Sequence, residues 1–176
     1  MVLNAGELGV AVVGTGAIAQ VVHLPLLVRM PGCRVVAVCD AAGHKARTIA
    51  ERFGVPHHYE TLDELLEREP GLDAVVICTP NATHADLAER ALRAGVHVIC
   101  ERPLATSSAD VRRILDAARA AGRHVLVALN HRFRPDAVAL RRFVQSGELG
   151  DVFYVRSAWL NRRTRQPTRG WRRERA

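Results

Sequence analysis

The chain has 176 residues, enough to bury one sizeable core and begin a second domain, and 48% of them are hydrophobic. No apolar run approaches the roughly 20 residues of a membrane-spanning helix, and residues 1 to 7 lack the basic, apolar and small-residue pattern of a signal peptide, so the reading is of a cytoplasmic protein with no membrane contact. The formal net charge of +7 resides entirely in the last 21 residues, which hold eight arginines and one acid, whereas residues 1 to 155 carry 17 basic and 17 acidic side chains; a neutral body argues against a general nucleic-acid binder.

Leu8 to Ala19, LGVAVVGTGAIA, is an apolar run too short for an independent helix, breaking at Gly14, Thr15 and Gly16 and continuing with helical character. A buried parallel strand that turns into a helix reads this way. Gly14 suits the tight turn, Gly16 leaves room for a pyrophosphate to approach the backbone, and Ala19 is small where helix and strand pack closely. The N–H groups at that helix start would face the phosphates. The helix from Ala17 to Met30 is expected to kink at Pro25, which has no N–H. Arg34 to Cys39 is a second apolar run, and it ends at Asp40, twenty-one residues beyond Ala19. An acid at that spacing can accept hydrogen bonds from adenosine ribose hydroxyls.

Gly43 to Phe53 reads as a helix closed by Gly54. His57 and His58 fall in the link after it, and no third ligand is in view, so no metal site is expected. Thr61 to Glu64 has capping-box form and opens a helix to about Arg68. Leu72 to Cys78 is a strand ending in Thr79, Pro80, Asn81, and Ala82 to Ala94 is an amphipathic helix. His97 to Cys100 is a strand ending in Glu101, Arg102, Pro103. A helix capped by Ser107 or Ser108 runs to Ala121, and His124 to Leu129 is a strand ending in Asn130, His131, Arg132. Cys33, Cys39, Cys78 and Cys100 lie in or beside these strands without CxxC spacing, the pattern of reduced core thiols.

Strands joined by helices of this length predict an α/β fold, a Rossmann-type doubly wound parallel sheet. Ligands of such sheets bind outside the carboxyl ends of the strands. The glycine turn, Asp40, Thr79 to Asn81, Glu101 to Pro103 and Asn130 to Arg132 all fall at those ends. Val152 to Leu160, with Phe153, Tyr154 and Trp159, reads as a strand opening a further domain that the chain leaves truncated. The boundaries are residues 1–130 for the nucleotide-binding domain and 131–176 for the connecting helix and the start of the second.

TPNATHADLAERALRAGVHVICERPLATS from Thr79, with the glycine turn before it and NHRFRP after it, resembles the Gfo/Idh/MocA oxidoreductases, grouped around glucose-fructose oxidoreductase and inositol dehydrogenase. The resemblance implies NAD- or NADP-dependent hydride transfer at a carbon of a sugar, cyclitol or related polyol. It also implies a C-terminal α/β substrate domain and a homo-oligomeric full-length form. By the same resemblance Gly14, Gly16 and Ile18 line the pyrophosphate, Asp40 holds the ribose, and Thr79, Asn81 and His84 line the cofactor cleft. Glu101, Arg102 and Asn130 would sit beside the nicotinamide, and Trp171 and Arg172 would reach back to the cofactor from the second domain. Other readings stand beside these: Thr79 and Asn81 as helix starters, His84 as an exposed helix residue, and Trp171 as core of the second domain.

Two features depart from the family pattern. The usual Glu-Lys-Pro is Glu101-Arg102-Pro103 here, and a guanidinium orients and stabilises charge but does not accept a proton at accessible pH. The Asp-x-x-x-His type pair that supplies the family's acid or base would lie beyond Ala176. Asp40, with no arginine in Ala41, Ala42 or Gly43 and Lys45 as the nearest cation, points to NAD rather than NADP. Two rival functions remain: a free-standing NAD-binding module without catalysis, and a nucleic-acid binder acting through the arginines of residues 156–176.

Overall fold

A computed structural model describes residues 6–158 and residue 160, which divide into two compact units at Ala128/Leu129. In the first unit, β1 (Leu8–Val13), β2 (Cys33–Cys39), β3 (His57–Tyr59), β4 (Ala74–Ile77), β5 (His97–Cys100) and β6 (Val125–Val127) form one parallel sheet. Its order is β3-β2-β1-β4-β5-β6. The chain builds outward from β1 to β3, then returns to place β4 on the other side of β1. That reversal opens a crevice at the carboxyl ends of β1 and β4.

The apolar runs are continuous because both faces of the sheet are covered. Ala11 and Val13 of β1, with Val75 and Ile77 of β4, pack under α3 (Leu62–Arg68), α4 (His84–Arg93) and α5 (Ser108–Ala121). Val10, Val12 and Val76 point the other way, onto α1 (Leu24–Leu27) and α2 (Gly43–Phe53). Alternate residues of a strand face opposite sides, so two layers of helices demand two apolar sets. Leu24, Leu65 and Ile114 are completely buried, a burial worth about 1.5–3 kcal/mol for each side chain. Thr61 caps α3 by accepting the Glu64 N–H at 3.2 Å.

Three expectations need correction. His57 and His58 are not in a link: with Tyr59 they form the edge strand β3, pairing with Ala37 to Cys39 of β2. Only Tyr59 of the three is buried, so this strand carries no apolar run to read. In place of one regular helix over Ala17 to Met30, a π-helical turn, Ala19–His23, in which the Leu24 N–H reaches back to the Ala19 carbonyl, precedes α1. A widened turn just before a proline accommodates the missing donor. Finally, residues 152–158 and 160 are not in a strand, because no partner among the described residues pairs with them, and Phe153 is almost fully exposed. A strand exists only through its neighbours.

The second unit contains a 3-10 turn, Asn130–Phe133, followed by α6, Pro135–Ser146. Proline at the first position of α6 loses no intrahelical bond. Among the described residues no helix is long and apolar enough to cross a membrane. All four cysteines are free, and no group of three or more His, Cys, Asp or Glu among the described residues could hold a metal ion.

Candidate functional site

The glycine turn is pressed between two strand ends. The Gly14 N–H donates to the Cys39 carbonyl at the end of β2, at 2.7 Å, and the Cys78 N–H donates to the Val13 carbonyl, also at 2.7 Å. Gly14 has φ +88°, and a Cβ on it would lie 2.8 Å from the Cys78 carbonyl carbon and the Thr79 nitrogen. Glycine is therefore required by both conformation and space. At Gly16, by contrast, a Cβ would meet nothing within 4 Å. Open space above a turn that feeds a helix N-terminus is the cradle a pyrophosphate needs. Ile18 sits partly exposed just beyond it.

Asp40 is locked to this turn. Its Oδ2 accepts from the Thr15 N–H, the Thr15 hydroxyl and Lys45 Nζ, each at 2.8 Å, and its Oδ1 accepts from the Ala42 N–H at 3.1 Å. Burial alone would raise the Asp40 pKa, but the donors Lys45, Thr15 and Ala42 outweigh it and hold the carboxyl below its ordinary range. A depressed carboxylate contributes stability at neutral pH that is lost as pH falls through its folded pKa. Oδ1 keeps a lone pair for a further donor, whereas Oδ2 is saturated. Thr15, fully buried, is the link that sequence reading passed over.

The next two strand ends are tied together by His84. It is only 1% exposed, with Nε2 2.9 Å from the Thr79 carbonyl and Nδ1 2.7 Å from the Pro103 carbonyl. Expected on the cleft wall or on an exposed helix face, His84 is buried and holds two loops. The signal was present: His84 shares the face of Ala88, Ala91 and Leu92, and the i, i+4, i+7, i+8 pattern marks a buried stripe. Thr79 and Asn81 are half-buried, Asn81 opening a 3-10 turn, Asn81–Thr83, rather than the α-helix itself. Thr79 also accepts a hydrogen bond from the Thr83 hydroxyl at 2.7 Å.

Glu101 follows β5, and its Oε1 lies 2.8 Å from His23 Nε2, with the two side chains 18% and 16% exposed. His23 belongs to the π-helical turn after the glycine turn, 78 residues away in sequence, and no local pattern announces the pair. Glu101 Oε2 accepts from the Arg102 N–H at 3.2 Å, while the Arg102 side chain is exposed. The thiols nearby are not nucleophiles. Burial first, then the neighbouring carboxylates Asp40 or Glu101, pushes Cys39, Cys78 and Cys100 up to about 12.

Asn130 begins the 3-10 turn of the second unit. Trp171 and Arg172, like Trp159 and the arginine cluster of residues 162–175, lie outside the described residues.

A parallel sheet with a glycine turn, an open helix start and an acid locked to that turn at the strand reversal defines an NAD(P)-binding Rossmann domain. The Gfo/Idh/MocA family model, described as the oxidoreductase family with an NAD-binding Rossmann fold, matches residues 8–129, and the chain belongs to that family. A D-glucoside 3-dehydrogenase from Escherichia coli (strain K12) is 35% identical over 170 residues, covering 96% of this chain and 47% of that protein. An inositol 2-dehydrogenase from Rhizobium meliloti (strain 1021) is 37% identical over 142 residues, covering 81% and 42%. KijD10, a 3-ketoreductase from Actinomadura kijaniata solved with TDP-benzene and NADP, aligns with TM-score 0.74 and 32% identity, covering 80% of this chain and 44% of that one. The chain thus spans under half the length of these relatives.

Proposed function

We propose that this chain is the nucleotide-binding part of an oxidoreductase that moves a hydride between NAD and a carbon of a sugar, cyclitol or related polyol. The observation that carries the reading is the lock between Asp40 and the glycine turn beside the open space at Gly16. The residues present fit a dinucleotide: Gly14, Gly16 and Ile18 would line the pyrophosphate, and the free capacity of Asp40 Oδ1 would take a ribose hydroxyl. Thr79 and Asn81 would border the cleft, with Glu101, Arg102 and Asn130 toward the nicotinamide and Trp171 and Arg172 contributed from the second domain. When bound, the nicotinamide supplies or takes the hydride. Arg102 would orient the substrate hydroxyl or the nicotinamide and stabilise negative charge developing on oxygen, and it would not act as the base. A cytoplasmic location and a homo-oligomeric full-length form belong to the same reading.

Cofactor titration tests it. Residues 1–176 are expected to bind NAD at least about tenfold tighter than NADP, a difference of roughly 1.4 kcal/mol, because Asp40 opposes a 2′-phosphate. Asp40→Ala should reduce that preference. The same preparation should oxidise no polyol, since proton removal needs a base within about 3 Å of the substrate oxygen and the chain covers under half of its relatives. Equal affinities for the two cofactors, or turnover by residues 1–176 alone, would refute the corresponding part.

Arg102 is tested in the full-length enzyme. Arg102→Ala should lower turnover more than about tenfold, and Arg102→Lys should keep or raise it while adding a pH dependence that a guanidinium cannot show. Rates across pH decide between this role and a purely structural one, for which the alanine variant would turn over normally.

A further inference from the structure

Glu60 leaves β3 beside Asp40 leaving β2. The register pairs Cys39 with Tyr59, and the Asp40 N–H donates to the Tyr59 carbonyl at 3.1 Å, so the next residue on each strand emerges at the same carboxyl edge. From there the Glu60 side chain lies over Gly43, the first residue of α2. A Cβ on Gly43 would fall 2.6 Å from the Glu60 carboxyl carbon and 2.9 Å from its Cγ, with Oε1 closer still. Glycine at 43 is what lets this carboxylate rest on the helix. The N-cap, Ala42, makes no side-chain hydrogen bond to the N–H groups of the first turn, and the side chain nearest Gly43 is the Glu60 carboxylate from the neighbouring strand.

The charges on this edge are not equivalent. Asp40 is paired with Lys45 at 2.8 Å and receives three further hydrogen bonds, so its charge is largely compensated. Glu60 is exposed and has no ion-pair partner among the described residues. Its carboxylate is the uncompensated negative charge where β2 and β3 end.

We propose that Glu60 is a second determinant of cofactor choice, its carboxylate seated on Gly43 and denying the first turn of α2 to the 2′-phosphate of NADP. The inference rests on the reading that Asp40 faces the adenosine ribose. A helix start is otherwise a favourable seat for a phosphate. With Glu60 there, a group of about two negative charges would have to settle within a few ångströms of a like charge, a repulsion that salt screens. Gly43, Lys45 and Glu60 then act together: the glycine admits the carboxylate, the lysine offsets part of the Asp40 charge, and Glu60 adds to the discrimination that Asp40 makes.

The test uses residues 1–176 and measures dissociation constants for NAD and for NADP at low and at high salt, in the unsubstituted protein and in Glu60→Gln, Gly43→Ala and Asp40→Ala. Glu60→Gln should shift the affinity ratio toward NADP by about fivefold at low salt, with a smaller shift at high salt. Gly43→Ala, which displaces the carboxylate, should shift it in the same direction. If Gly43→Ala fails to fold, the surface substitution Glu60→Gln still decides. An unchanged ratio in Glu60→Gln beside a changed one in Asp40→Ala overturns this inference alone. An unchanged ratio in Asp40→Ala, or no binding of either cofactor, overturns the reading beneath it.

Discussion

Gly14→Ala is expected to be the most damaging single substitution in the cleft, costing about 4 kcal/mol of stability. Two effects add. The residue sits at φ +88°, where an L side chain is strained by about 1–3 kcal/mol. The new Cβ would also press to 2.8 Å against the Cys78 and Thr79 backbone, and overpacking against groups that cannot yield costs a further 1–3 kcal/mol. They cannot yield because the Cys78 N–H is fixed on the Val13 carbonyl at 2.7 Å. For a chain of this size the melting temperature should fall by roughly 8–16 °C. Gly16→Ala is the control: its Cβ would enter open space, so stability should hold within about 1 kcal/mol while cofactor affinity drops. Thermal melts followed by far-ultraviolet circular dichroism distinguish the two, and a Gly14→Ala protein melting with the parent would show that the turn is not as tightly held as described.

His84→Ala should cost about 3 kcal/mol and loosen the cleft at the same time. The ring is buried between the Pro103 and Thr79 carbonyls, with Nδ1 2.7 Å from the first and Nε2 2.9 Å from the second. Alanine leaves a cavity and removes the ring that bridges the two carbonyls. Since one loop carries Thr79 and Asn81 and the other Glu101 and Arg102, NAD affinity should weaken together with stability. Chemical denaturation and cofactor titration on the same variant measure both. A stability loss under about 1 kcal/mol, with unaltered NAD binding, would mean that the two loops hold without the histidine.

Both predictions depend on different kinds of information. Gly14 is legible in the sequence because a buried parallel strand cannot hide its identity: covered on both faces, it must be apolar throughout, and the polar or glycine residue that ends it marks the carboxyl edge. Asp40, Thr79 and Glu101 are read in the same way, each as the first break after an apolar run. His84 was legible as a helix residue but misplaced, since its polar type suggested a ligand contact or solvent while its spacing matched the buried face of α4. β3 left no signal, because an edge strand of three residues with one buried side chain has too little apolar surface to show a period.

What the sequence determined by itself was the family, the alternation of strands and helices, and the residues that end the strands, all of which follow from local burial and local turn geometry. What only the tertiary structure decided were the pairings across the strand ends: Thr15 and Lys45 on Asp40, His23 on Glu101, His84 between Thr79 and Pro103, and Glu60 over Gly43. His23 and Glu101 are 78 residues apart and meet because the sheet reverses its winding after β3, bringing β4 and then β5 in on the far side of β1. A side chain's partner across a parallel sheet is set by which strand lies beside it, and strand order depends on how the helical connections pack over both faces rather than on any residue near the pair.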